Sequence, residues 1–308
     1  MQPHSDLLID RKRLKSQLVS WRALALVAVF AAAAIFFGGF GAHSKGGKGD
    51  YIAQITIEGI MEDDADRDAL MKDILEDDRA KAVLVRLDSP GGTTVGGEAI
   101  YLQLKQIAKK KPVVGVMHTL CASACYMAAL GTDHVVAREG TLTGSIGVLL
   151  QSLEISRLAD KLGITPITIK SGAMKDVPSI AEPFTDDQRA IVSEVVMDAY
   201  DHFVRLIVEN RKMDDAQVRK LADGRIYTGS QAVKLKLIDG IGGDDEALAW
   251  LAENRKINPK LELREITPDP EINSLLGKLG QYSGIKIFDK SAVGLDGLVS
   301  IWHPSLTQ

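Results

Sequence analysis

From Tyr51 to about Glu253 the chain alternates between apolar runs with strand character and polar stretches whose apolar residues recur at helical spacing. YIAQITIEGI (51–60) alternates apolar and polar positions, the pattern of a half-buried strand. AVLVRLDS (82–89) and PVVGVMH (112–118) are more continuously apolar, as in parallel strands covered on both faces. Between them, Asp68 to Glu76 and Gly97 to Lys109 are polar with periodic apolar residues, among them Ile100, Leu104 and Ile107. Strands separated by helices are what crossover connections of a parallel sheet require, so the pattern predicts an α/β fold.

Further along, the pattern predicts strands at HVVARE (134–139) and SIGVLL (145–150), a helix over SLEISRLADKLG (152–163) and a strand at ITPITIK (164–170). Thr185, followed by Asp186 and Asp187, reads as the N-cap of a long helix reaching about Arg211. That helix carries Ile191, Val195, Ala199, Phe203 and Ile207 at four-residue steps, a stripe for the core or for a subunit contact. TGSQAVKLKLIDGIGG (228–243) predicts a short helix, a strand and a Gly-rich turn, and Asp244 to Glu253 another helix. Beyond Asn258, Pro259, Pro268, Pro270 and several glycines break the pattern, leaving 258–308 as a tail of unassigned role.

Ahead of this domain, residues 23–42 (ALALVAVFAAAAIFFGGFGA) contain no charge and are long enough for a membrane-spanning helix. The leader 1–22 carries Arg11, Lys12, Arg13, Lys15 and Arg22, whereas only Lys45 and Lys48 closely follow the span. The positive-inside rule then places the N-terminus in the cytoplasm and the rest on the outer side of the cytoplasmic membrane. A cleaved signal peptide is the rival reading, but the basic leader is longer than a typical n-region and favours an uncleaved anchor. Residues 43–50, HSKGGKGD, read as a linker, and the folded domain is expected over 51–257.

Composition narrows the function. A formal net charge of −4 does not suggest a protein that tracks phosphates, so nucleic acid is set aside. Cys121 and Cys125 are the only cysteines, and neither belongs to a spacing that completes a zinc site; no metal or cofactor is expected.

Three small-residue loops, DSPGGTTVGG, TLCASAC and TLTGS, lie where parallel strands would deliver them to one end of the sheet, the usual place for a ligand. Gly91 and Gly92 allow close backbone approach, so their N–H groups can face a developing oxyanion; a plain tight turn reads equally well. Ser123, in LCASACYMAAL (120–130), is a candidate nucleophile or a small residue at a helix–sheet contact. A nucleophile needs a base. His118, His134 and His202 leave a Ser-His-Asp arrangement open, but none sits in a loop that obviously returns to the serine. Lys175, in IKSGAMKDVPSIAEPF, follows an expected strand in a loop without helical period; burial would lower its pKa towards a useful range, whereas on a surface it would be an ordinary solvated lysine.

Taken together and in order, DSPGG (88–92), the turn around Ser123, REGTLTGSIGV (138–148), RLADKLGI (157–164), IKSGAMKD (169–176) and DGRIYTGSQAVKLKLID (223–239) resemble the signal peptide peptidase A family over about Tyr51 to Ala249. The resemblance implies a Clp-protease/crotonase-like fold, a repeated β-β-α superhelix. It implies Ser123 as nucleophile, Lys175 as general base, Gly91 or Gly92 as oxyanion donor, and Ser145 helping to hold the lysine amine. It also implies a homo-oligomeric ring in which neighbours complete each site, because in two-module members the serine and lysine come from different modules.

Ala124 and Cys125 depart from the Ser-Gly-Gly that family members commonly carry. The two cysteines are expected to be small buried hydrophobes, since pairing them would distort the turn that presents Ser123. The expected activity is a membrane-anchored serine endopeptidase acting on remnant signal peptides and similar membrane-released peptides. A catalytically silent membrane scaffold of the same fold and a crotonase-like acyl-CoA enzyme are the rivals.

Overall fold

A computed structural model describes residues 21–22, 49–267 and 298–302. The apolar segment 23–42 lies outside them; among the described residues no helix is long and apolar enough to cross a membrane. The chain runs β1 (Tyr51–Met61), α1 (Ala65–Glu76), β2 (Ala80–Thr93), α2 (Thr94–Ala108), β3 (Val113–Ala122) and α3 (Ala124–Ala129). It continues through β4 (His134–Ala137), β5 (Leu142–Gly144), α4 (Ser156–Lys161), α5 (Asp186–Arg211), α6 (Asp215–Leu221) and β6 (Ile226–Thr228). Last come α7 (Gly229–Lys234), β7 (Gly240–Ile241), α8 (Asp244–Arg255), β8 (Glu262–Glu265) and β9 (Val299–Ile301).

The strands form one mixed sheet along the path β6-β5-β3-β2-β1-β8, with β4, β7 and β9 attached beside it. β1, β2, β3 and β8 are mutually parallel where they pair. The continuous apolar run of β2 is buried throughout, with Val83, Leu84, Val85 and Leu87 inaccessible, because helices cover both faces. On one face Ile55, Met71, Ile100, Leu104, Tyr126 and Phe203 form the larger core. On the other, Ile52, Leu84, Val114 and Val116 pack against Ala247 and Leu251 of α8.

Helix starts follow their caps. Asp64 accepts from the N–H groups of Asp66 and Arg67, Thr93 accepts from Gly96, and Thr185 forms a capping box with Gln188.

β3 divides along its length. Its first half pairs with β4 through Val114–Met117, and its end, Leu120–Ala122, pairs with β5. Between Leu87↔Met117 and Ser89↔Cys121 the β2–β3 register slips, so β3 carries two extra residues just before Ser123. The slip falls where β3 changes partner from β4 to β5.

Three expectations change. SIGVLL is not a strand; β5 ends at Gly144, and beyond it only Leu149 makes an isolated bridge, to Val299. The helix over 152–163 shortens to α4, and ITPITIK makes no strand pairing among the described residues: Ile167 and Ile169 are 88% and 97% exposed. β-branched residues cannot hold a strand without an edge to join. The sheet also draws in segments beyond residue 258, since β8 pairs with β1 and β9 with β2.

The long helix α5 divides its stripe. Phe203 and Ile207 are fully buried, whereas Ile191 and Val195 are 43% and 52% exposed, together with Leu153, Leu158, Leu162 and Ile164 of the preceding segment. The apolar pattern therefore continues past the edge of the core of one chain.

Candidate active site

The three small-residue loops meet at one end of the sheet. Ser123 stands at the corner between β3 and α3 with φ 60° and ψ −121°, a backbone conformation that non-glycine residues rarely adopt. Its N–H donates to the carbonyl of Gly144 at 2.8 Å, and its carbonyl accepts from Met127 N–H at 3.0 Å to begin the helix. Gly144, with φ 86°, carries the chain past Tyr227 with no room for a Cβ.

On the other side, Gly91 has φ 108°, and a Cβ there would press on the backbone of Ala122 and Ala124 at 3.1 Å. Glycine at 91 thus lets the DSPGG turn lie directly against the serine corner. Thr143 on β5 ties that corner down again, its hydroxyl donating to Cys121 O at 2.7 Å.

Cys121 and Cys125 form a disulfide, with Cα atoms 5.1 Å apart. This corrects the expectation of two unpaired hydrophobes. Cys121 ends the strand and Cys125 lies in the first turn of the helix, so the sharp corner at Ser123 brings them within bridging distance without breaking the corner. Ala124 is accommodated as well: it is fully buried facing Gly97 of α2, where a Cβ on residue 97 would come within 2.9 Å of its own Cβ.

The Ser123 hydroxyl meets that of Ser300 on β9, which in turn donates to Gly147 O at 2.9 Å. Ser300 thus stands between the Ser123 hydroxyl and the Gly147 carbonyl. A cavity of about 590 Å³ opens beside the serine, with Ser145, Leu149, Met197, Tyr200 and Trp302 among its walls. Its lining is mainly apolar, suited to side chains rather than to a charged ligand. Ser145 is buried, has φ 49°, and its N–H donates to Arg225 O at 2.8 Å.

The glycine pair separates into two roles. Gly91 N–H donates to the Oγ of buried Ser89 at 3.0 Å, and Ser89 donates on to Gly59 O. Gly92 is paired across the β2–β9 ladder with Ser300. Ser89 had no signal in the sequence beyond standing beside the glycines.

Lys175 is not brought to the serine. It is exposed, its N–H donates to Gly172 O at 3.1 Å, and its amine has no partner among the described residues; it does not line the Ser123 cavity. Lys170, five residues earlier, is committed to Glu182 at 2.6 Å.

Nor do the histidines reach the cavity. His118 lies 3.8 Å from Asp244, His134 stacks on Trp250, and His202 lies 3.1 Å from Glu98. A Ser-His-Asp triad is therefore not assembled around Ser123. Among the described residues no group of three or more His, Cys, Asp or Glu side chains is arranged to hold a metal ion.

Residues 105–258 match the model of peptidase family S49. A protein of Synechocystis sp. named as a protease is 37% identical over 73% of this chain and 83% of its own length. A protein of Enterococcus faecium named as a signal peptide peptidase SppA is 33% identical over 84% of this chain and 78% of its own. The chloroplastic serine protease SPPA of Arabidopsis thaliana is 29% identical over 73% of this chain, which spans 34% of that longer protein. Among solved structures, a ClpP1 mutant from Listeria monocytogenes aligns with 63% of this chain and 93% of its own, at 16% identity and a TM-score of 0.43.

Proposed function

The chain belongs to peptidase family S49, the signal peptide peptidase A family, and is a serine-type peptidase; from that premise we propose that it is a membrane-anchored endopeptidase that cleaves remnant signal peptides through a Ser123–Lys175 dyad shared between neighbouring copies. The observation that carries this reading is the strand–helix corner at Ser123, which holds a serine hydroxyl at the edge of an apolar cavity, at the meeting point of three strand ends.

In the proposed reaction Ser123 Oγ attacks a peptide carbonyl and gives up its proton to the neutral Lys175 amine. The carbonyl π electrons move onto oxygen, and backbone N–H groups stabilise that oxyanion. Gly91 N–H is held by Ser89 and Gly92 is paired with Ser300 in the β2–β9 ladder, so Gly92 can serve as the donor only where that pairing is given up. Collapse expels the amine, which takes the proton back from Lys175, and leaves an acyl-enzyme for water to hydrolyse.

Lys175 must lose its proton first. Lys175 is exposed, and a neighbour covering it would exclude water, which favours the neutral form of an amine. The exposed apolar segment from Leu153 to Ile169 and the outer stripe of α5 supply a surface for such a neighbour. Ser145, buried in the wall of the cavity, would accept a hydrogen bond from the incoming amine.

The apolar cavity supports this substrate class, as does the uncharged segment 23–42, which as a membrane anchor would keep the site near peptides released from the bilayer. A serine-directed acylating probe applied to the full chain, with the modified residue mapped by mass spectrometry, tests the assignment. Label on Ser123 supports it; catalysis of peptide hydrolysis by a chain that takes no label there overturns it.

A further inference from the structure

The chain reaches Ser123 through a stretch of β3 that leaves its ladders. On one edge β3 is in register with β2 up to Leu87↔Met117 and again from Ser89↔Cys121. On the other it follows β4 up to Met117↔Ala137 and β5 from Leu120↔Leu142. His118 and Thr119 therefore fall outside the strand pairings on both edges, shortly before the serine corner. Side chains hold this stretch instead: Thr141 Oγ1 donates to His118 O at 2.5 Å, and Leu120 N–H donates to Asp88 Oδ1 at 3.0 Å.

The side chain of His118 has one partner within reach. Asp244, the first residue of α8, receives Arg86 of β2 on Oδ2, and its Oδ1 stands 3.8 Å from His118 Nε2. Both Nε2 and Oδ1 are closed off from solvent, and neither has another hydrogen-bond partner among the described residues. A buried donor and a buried acceptor left unpaired are unfavourable, so each is the other's natural partner. A side-chain adjustment of about 1 Å brings them to the ordinary N–H···O length of about 2.9 Å. We propose that His118 is a positioning residue for Ser123: held by Asp244, it pins the unpaired stretch of β3 and so sets where the strand turns into the serine corner. The inference rests on Ser123 being the nucleophile.

β2 thus anchors both ends of the stretch, Arg86 through Asp244 to His118 and Asp88 directly to Leu120. Arg86 is in register with Val116, two residues before His118, so Asp244 closes the contact just where the regular pairing stops. Each residue advances a strand by about 3.3 Å, so a stretch freed at one end can shift the corner by an appreciable part of that length. A misplacement of about 1 Å at reacting groups costs about 100-fold in rate, and a partial shift correspondingly less. Neither His118 nor Asp244 lines the Ser123 cavity, so the effect passes through the backbone and falls on the chemical step rather than on substrate binding.

The test compares full-length wild type, His118→Ala, Asp244→Ala, the double substitution and His118→Gln. Each is assayed for kcat and KM on an apolar reporter peptide and for the rate of Ser123 acylation by the serine-directed probe, with rates taken per chain that acylates at completion. His118→Ala and Asp244→Ala are each expected to lower kcat and the acylation rate about tenfold with KM unchanged. The double substitution should be no slower than the slower single one, because both remove the same contact. His118→Gln, whose side-chain amide can donate to Asp244, should recover kcat to within about threefold of wild type. An unchanged kcat per acylated chain in His118→Ala, even in a variant that unfolds at lower urea, would overturn the positioning role while leaving Ser123 as nucleophile. Absence of label on Ser123 in the wild type would overturn the nucleophile assignment and the positioning role with it.

Discussion

Cys121 and Cys125 are joined by a disulfide that spans Ser123, one residue lying on each side between the serine and its flanking cysteine. Both cysteines are fully buried, one at the end of β3 and the other in the first turn of α3. The bridge holds the two arms of the corner together.

Removing the bridge should therefore loosen the corner. A loop this short restricts the unfolded chain modestly, so Cys121→Ala/Cys125→Ala is expected to lose about 2 kcal/mol of stability. Urea unfolding of the wild type with and without a reducing agent should bracket the same difference. Coincident curves for oxidised, reduced and doubly substituted chains would show that the bridge contributes nothing.

The positive φ of Ser123 makes a second prediction that separates function from stability. Holding a non-glycine residue there costs on the order of 1–3 kcal/mol, part of which glycine recovers and part of which it loses to a more flexible unfolded chain. Ser123→Gly should thus be about 1 kcal/mol more stable than wild type while hydrolysing no peptide. A marked loss of stability in this variant would mean that the corner is not strained.

His134 links the fold to pH. Its ring stacks on Trp250 with centroids 4.6 Å apart, and burial lowers its pKa below the ordinary histidine value, an effect that Asp239 opposes. Since the folded-state pKa lies below the unfolded one, the unfolded chain takes up the proton first as pH falls. Stability contributed by neutral His134 is therefore complete above about pH 6.5 and is lost progressively below it. His134→Gln should show a shallower loss of stability than wild type between pH 7.5 and 5.5; parallel slopes would remove His134 as a cause.

Much of the fold could be read directly from residue pattern. The continuous apolar runs of β2 and β3 and the Phe203–Ile207 end of the α5 stripe report burial, and burial has a period. The meeting of DSPGG, the Ser123 turn and TGS followed from each standing at the end of a strand.

What was illegible depended on distant partners. ITPITIK has the composition of a strand, yet Ile167 and Ile169 find no edge to pair with among the described residues. Ser300 lies 177 residues from Ser123, in a stretch where proline and glycine hide any period. The disulfide is hidden because a four-residue spacing reads as one turn of helix, whereas Cys121 ends a strand and Cys125 lies in the following helix, with the corner at Ser123 between them.

The central claim is that serine and lysine from different copies make one active site. Ser123→Ala and Lys175→Ala should each abolish hydrolysis in a homogeneous assembly while leaving its size unchanged. If the two variants are dissociated, mixed in equal amounts and reassembled, some sites will pair an intact Ser123 from one copy with an intact Lys175 from its neighbour. For random mixing around a ring this applies to about one quarter of sites, and hydrolysis should return to about that fraction of wild type. A mixture as inactive as its two components would contradict a site shared between copies.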